Sequence, residues 1–110
     1  MRRRLGYDRA MRKADAIALL LAHTGPLQAV GVAHVSLFGS VARDQTCPES
    51  DIDLVIDGPP DRPVTLFTMA RAQALLEEIF SRRVDLTAQE DLDHAPRLRA
   101  RIGDDLTPVF

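Results

Sequence analysis

The sequence predicts a small α/β (α+β) domain: one mixed sheet covered by helices. Two features carry this. Segments with apolar residues at helical spacing alternate with short apolar runs of strand character, in the order helix, strand, short helix, strand, helix, strand, helix. At 110 residues, with 45% apolar and 27% charged side chains, the chain suits one domain over 1–110 with one core.

The elements follow in order. Ala10, Met11, Ala14, Ile17, Ala18 and Leu21 recur at helical spacing until Gly25-Pro26 stops them, giving a helix from about Asp8 to His23. Pro26–Val30 reads as a short helical turn. His34–Phe38 is a short, largely apolar strand ending at Gly39-Ser40. Asp51–Asp57 is a second strand, with Ile52, Leu54 and Ile56 on one face and Asp51, Asp53 and Val55 on the other. A stiff Gly58–Pro63 loop follows. Thr65 then caps a helix over Leu66–Phe80, whose stripe is Met69, Ala72, Leu76, Ile79 and Phe80. Arg83–Thr87 is a third strand, Asp91 or Asp93 starts a final helix, and Leu106–Phe110 is a short last strand.

Charge and composition narrow the function classes. The net charge of −2 gives no general attraction to nucleic acid, and no direct nucleic-acid binding is expected. The arm over about 1–13 is different, with six basic residues against one acidic. It reads as a solvated tail or as a contact for an acidic partner. Cys47 is the lone cysteine, which excludes a disulfide framework and fits a reducing cytoplasm. The apolar run Ala16–Ala22 is too short for a membrane span or a signal peptide, and no membrane association is expected.

Two segments carry chemistry. Leu37–Arg43 is a strand that ends in Gly-Ser and turns directly into a helix, leaving backbone N–H groups for an anion. Gly39 lets a phosphate approach the backbone, and the Ser40 hydroxyl donates to a phosphate oxygen. The same dipeptide also serves as an ordinary turn and cap. In Asp51-Ile52-Asp53, alternation puts both carboxylates on one strand face, about 6–7 Å apart along the backbone. Such a pair repels itself unless a cation binds, and hard oxygens at this spacing suit Mg²⁺. Two solvated acids at a strand edge are the plainer reading. Gly39-Ser40 followed by Asp51-x-Asp53 gives a phosphate cradle and a metal pair in sequence. Asp85, a lone charge between Val84 and Leu86, adds a third acid on a neighbouring strand, unless Arg82 or Arg83 pairs with it. Arg43 stands within reach of a bound triphosphate, of Asp44 and of Glu49. His23, His34, His94 and Cys47 read as bystanders, Ser50 as a local turn former, and Tyr7 has no role.

Taken together, Leu37–Arg43, Ser50–Leu54 and Arg83–Leu86 resemble the minimal nucleotidyltransferases of the DNA polymerase β superfamily, antitoxin components often paired with HEPN-domain toxins. The resemblance covers about Gly31 to Thr87. It implies a nucleotidyltransferase-like fold in which Gly39 and Ser40 hold the triphosphate of ATP. Asp51 and Asp53 would bind Mg²⁺, and Asp85 would bridge a metal and help deprotonate the nucleophile. One metal would steady the pyrophosphate leaving group while the other activates an acceptor hydroxyl for in-line attack on the α-phosphorus. The family usually has Gly after the Ala-Arg of this motif, where this chain has Asp44. The implied function is transfer of AMP to a hydroxyl of a partner protein, a HEPN-type toxin encoded nearby. The alternative is a non-catalytic antitoxin that neutralises its partner by docking.

Overall fold

The computed structural model describes residues 11–45 and 51–110, apart from the Asp104 side chain. The basic arm up to residue 10, Tyr7, Cys47, Glu49 and Ser50 lie outside the described residues.

Helix α1 spans Lys13–Ala22 and α2 spans Thr24–Ala29. The break falls at His23, and Pro26 sits in the first turn of α2, where the backbone N–H it lacks has no helical partner to lose. Strand β1 is His34–Phe38, followed without a linker by the single-turn helix α3, Gly39–Ala42. Strand β2 is Ile52–Asp57. Helix α4 covers Leu66–Phe80. Its start is fixed by a capping box in which Thr65 and Thr68 each accept the other's backbone N–H through the side-chain oxygen. Strand β3 runs over Val84–Ala88, one residue later than the sequence predicts.

The predicted final helix is two helices, α5 (Gln89–Asp93) and α6 (Pro96–Ile102). Pro96 explains the break, because it disfavours helical backbone at Ala95 while serving well as the first residue of α6. A 3₁₀ turn, Gly103–Asp105, leads into the two-residue strand β4, Thr107–Pro108. Among the described residues no helix is long and apolar enough to cross a membrane.

The sheet order is β3-β2-β1-β4. β1 lies antiparallel to β2 and to β4, with Val35 opposite Ile56, Leu37 opposite Leu54 and Phe38 opposite Asp53. β2 and β3 are parallel, with Leu54 beside Leu86 and Asp53 beside Asp85. This register sorts the side chains. One face carries Val35, Leu37, Ile52, Leu54 and Ile56, buried against Ala16 and Leu20 of α1, Leu27 of α2 and Ala72, Leu76 and Phe80 of α4. The opposite face carries a smaller cluster of Phe38 and Val55 covered by Leu92 and Ile102. Asp53 shares this second face.

Candidate active site

The acid pair is built by strand register. Because β2 and β3 run parallel, Asp53 and Asp85 sit side by side, about 4.8 Å apart across the ladder. Both lie near the N-terminal end of their strands, where β1 ends. Asp53 is half-buried and Asp85 exposed. Asp51 lies just ahead of β2, exposed to solvent.

Helix α4 fixes the start of β3. The Val84 N–H donates to the Glu77 carboxylate at 3.2 Å. Gln73 Nε2 donates both to Glu77, at 2.9 Å, and to the Val84 carbonyl. These donors hold the Glu77 carboxyl below its ordinary range. Residue 84 is thereby tied to α4 on both its backbone groups, which sets the position of Asp85 next to it.

Gly39 closes the other side. Its φ is +72°, in the left-handed region, and a Cβ there would overlap the Asp53 carboxylate and stand 3.0 Å from Asp53 Cγ. Both facts demand glycine. The acid therefore lies directly against the backbone of the turn. The Ser40 hydroxyl has no hydrogen-bond partner among the described residues. With only four residues, α3 adds little dipole, so the turn's own N–H groups must provide most of the attraction for an anion.

These parts line one cavity of about 330 Å³, walled by Phe38, Gly39, Ser40, Arg43, Asp53, Asp85, Arg101, Ile102 and Asp105. Burial pushes the Asp53 carboxyl up from its ordinary value to about 6. Repulsion from Asp85 and Asp51 and the hydrogen bond with Asp85 add to this, and Arg43 opposes it. Among the described residues no group of three His, Cys, Asp or Glu side chains is arranged around a metal position. The pair Asp53 and Asp85 is brought together, while Asp51 stays outside the cavity wall and acts on Asp53 through its charge. An acid pair whose inner member must hold a proton up to about pH 6 is one that a hard cation would stabilise. Two carboxylates completed by phosphates and water form a donor set suited to Mg²⁺.

Arg43 lines the cavity but is already paired. Its guanidinium donates to Asp105 at 2.5 Å and to Gln45 at 3.1 Å, not to Asp44. Asp44 takes a left-handed backbone, φ +58°, which Asp tolerates better than most residues. Its carboxylate accepts the Lys13 backbone N–H at 2.7 Å, at the start of α1. Its charge is therefore committed to α1 and not to the cavity wall. Asp85 forms no ion pair with Arg82 or Arg83 among the described residues. His34 and His94 are exposed, and the rings of His23 and His94 make local contacts to the carbonyls of Leu19 and Glu90.

Arg101 and Asp105 are wall residues that sequence reasoning missed. Arg101 lies in an exposed helical stretch with no motif around it, and Asp105 follows a turn. Only the packing of Ile102 onto Phe38 and Val55 brings this segment to the acids.

The family model "Nucleotidyltransferase domain" matches residues 26–105, which span every residue of the cavity wall. "Putative protein adenylyltransferase MJ0435" of Methanocaldococcus jannaschii is 30% identical over 98 residues, covering 89% of this chain and 94% of that protein. "Putative protein adenylyltransferase MJ0126" of the same organism is 31% identical over 75 residues, covering 68% and 74%. A solved structure described as "Structure of putative minimal nucleotidyltransferase" superposes with a TM-score of 0.66 at 34% identity, covering 84% of this chain and 90% of that one. The glycine turn, the paired aspartates and these matches lead to one assignment: the chain belongs to the nucleotidyltransferase domain family.

Proposed function

We propose that this chain transfers AMP from ATP to a hydroxyl group of a partner protein. The observation that carries the reading is the placement of Asp53 and Asp85 side by side on parallel strands, with Asp53 against the Gly39-Ser40 turn in one cavity. The turn offers backbone N–H groups and a hydroxyl to the triphosphate. Asp53 and Asp85 supply the paired carboxylates for Mg²⁺, and Asp51, at the cavity margin two residues before Asp53, adds a third, in keeping with the divalent metal that nucleotidyltransferases of this fold generally use. When bound, Mg²⁺ neutralises phosphate charge and allows the acids to remain ionised together.

Asp85 is the exposed member of the pair and accepts the proton of the attacking hydroxyl. The acceptor oxygen then bonds to the α-phosphorus, the bond from the α-phosphorus to the bridging oxygen breaks, and pyrophosphate leaves. Gly39 and Ser40 hold the departing phosphates. No residue of the chain becomes covalently modified.

The acceptor class is supported by the relatives, whose names describe protein adenylyltransferases. The family resemblance points to a HEPN-type toxin encoded nearby. A second reading, an antitoxin that acts by docking alone, is favoured by one observation: Arg43 is held by Asp105 in the cavity meant for nucleotide.

The test is to incubate the purified chain with the product of its neighbouring gene, Mg²⁺ and each nucleoside triphosphate, then weigh the partner by intact mass spectrometry. An AMP-sized gain that disappears with Asp51→Asn supports the enzyme. Tight complex formation without a mass change, equal for Asp51→Asn, establishes docking alone.

A further inference from the structure

The charges on the cavity wall are not all balanced among themselves. Three carboxylates line it, from Asp53, Asp85 and Asp105, together with two guanidiniums, from Arg43 and Arg101. Arg43 and Asp105 neutralise each other at 2.5 Å, and Arg43 is further held by Gln45. Arg43 keeps further N–H groups, but its charge is offset by Asp105, so it attracts a phosphate less than an unpaired guanidinium does. Arg101 has no hydrogen bond or ion pair to any described residue. Its position is nonetheless fixed from below, because the neighbouring Ile102 is 6% exposed and packed with Phe38, Val55 and Leu92. Successive helical residues point about 100° apart. With Ile102 seated in the core cluster, Arg101 is carried to the cavity that also holds Gly39 and Ser40.

We propose that Arg101 is the cation that binds the polyphosphate tail of the nucleotide, with Arg43 serving as a structural tie between the Gly-Ser turn and the 3₁₀ turn. This rests on the nucleotidyltransferase reading above. A metal-bound triphosphate retains negative charge beyond what the acid pair and its cation balance. The turn's N–H groups act on it from one side, and Arg101 is the unpaired cation elsewhere on the described wall. The planar guanidinium suits two phosphate oxygens at once, which lysine cannot match. The side chain is exposed, so its removal leaves the core intact.

Binding of a fluorescent ATP analogue in the presence of Mg²⁺ tests this, with inorganic tripolyphosphate as a competitor. Arg101→Ala should weaken both the analogue and tripolyphosphate by about 10- to 100-fold, the loss of a charge-assisted contact. Its melting temperature should stay at the wild-type value, and Arg101→Lys should recover part of the affinity. Arg101→Ala that binds the analogue as wild type does would overturn the proposal. So would loss of the analogue with tripolyphosphate affinity unchanged, which would assign Arg101 to the base or ribose. A wild-type chain that bound neither probe would overturn the nucleotidyltransferase reading itself, and this inference with it.

Discussion

Asp53 is held in an environment that works against its own ionisation, and that has a measurable consequence. Its carboxyl is raised to about 6 by burial first and by Asp85 and Asp51 next. A carboxyl whose folded value exceeds its unfolded value of about 4 favours the folded state while it can stay protonated. That stabilisation is full below about pH 4 and is lost as pH rises through about 6. Asp53→Asn removes the titration and the repulsion together. Thermal melts of the metal-free protein between pH 4 and 8 should therefore show the variant at least as stable as wild type at pH 8. The wild-type deficit should shrink as pH falls. Mg²⁺-dependent nucleotide binding should be abolished. A marked loss of stability at pH 8 would mean that the acid is structural.

At the scale of elements, Asp44 joins two of them. Its left-handed backbone ends the turn that begins at Gly39, and its carboxylate binds the first N–H of α1. Arg12, at the N-cap of α1, provides no side-chain cap, so the acceptor for the Lys13 N–H comes from Asp44, 31 positions beyond Lys13. Asp44→Gly keeps the backbone conformation and removes the cap, which should cost about 0.5–2 kcal/mol. Asp44→Ala loses the cap and adds about 1–2 kcal/mol for left-handed backbone. Urea melts of the two variants should rank alanine below glycine. Equal stabilities would show that the left-handed turn carries no strain.

The whole molecule is a sheet with two unequal faces, and the site sits on the lesser one. The large cluster contains Leu76, fully buried, and Leu76→Ala should cost about 2–5 kcal/mol. The small cluster is Phe38, Val55, Leu92 and Ile102, flanked by Leu98 and Leu106. It holds α5, α6 and the 3₁₀ turn against the strands that bear the acids. Ile102→Ala should loosen that cover locally. Hydrogen exchange should speed up over residues 89–105 and stay unchanged in α4, while nucleotide affinity falls. Faster exchange throughout α4 as well would mean that the two clusters form one cooperative unit.

The sequence by itself determined the strands and helices that matter most. A short apolar run ended by Gly39-Ser40 located β1 to the residue, and Thr65 with the following stripe located α4 to the residue, because local composition and capping chemistry decide such elements. It also singled out Gly39, Ser40, Asp51, Asp53 and Asp85, with Arg43 nearby, since glycine at a strand end and acids in or beside apolar strands are costly choices. What the tertiary structure decided is which charges meet. Strand register put Asp53 beside Asp85 and left Asp51 at the margin. Packing of Ile102 brought Arg101 and Asp105 across some sixty residues of chain to Ser40 and Arg43. Such partnerships have no local signature: ion pairs act through space, and only the packed sheet and its covering helices fix that distance.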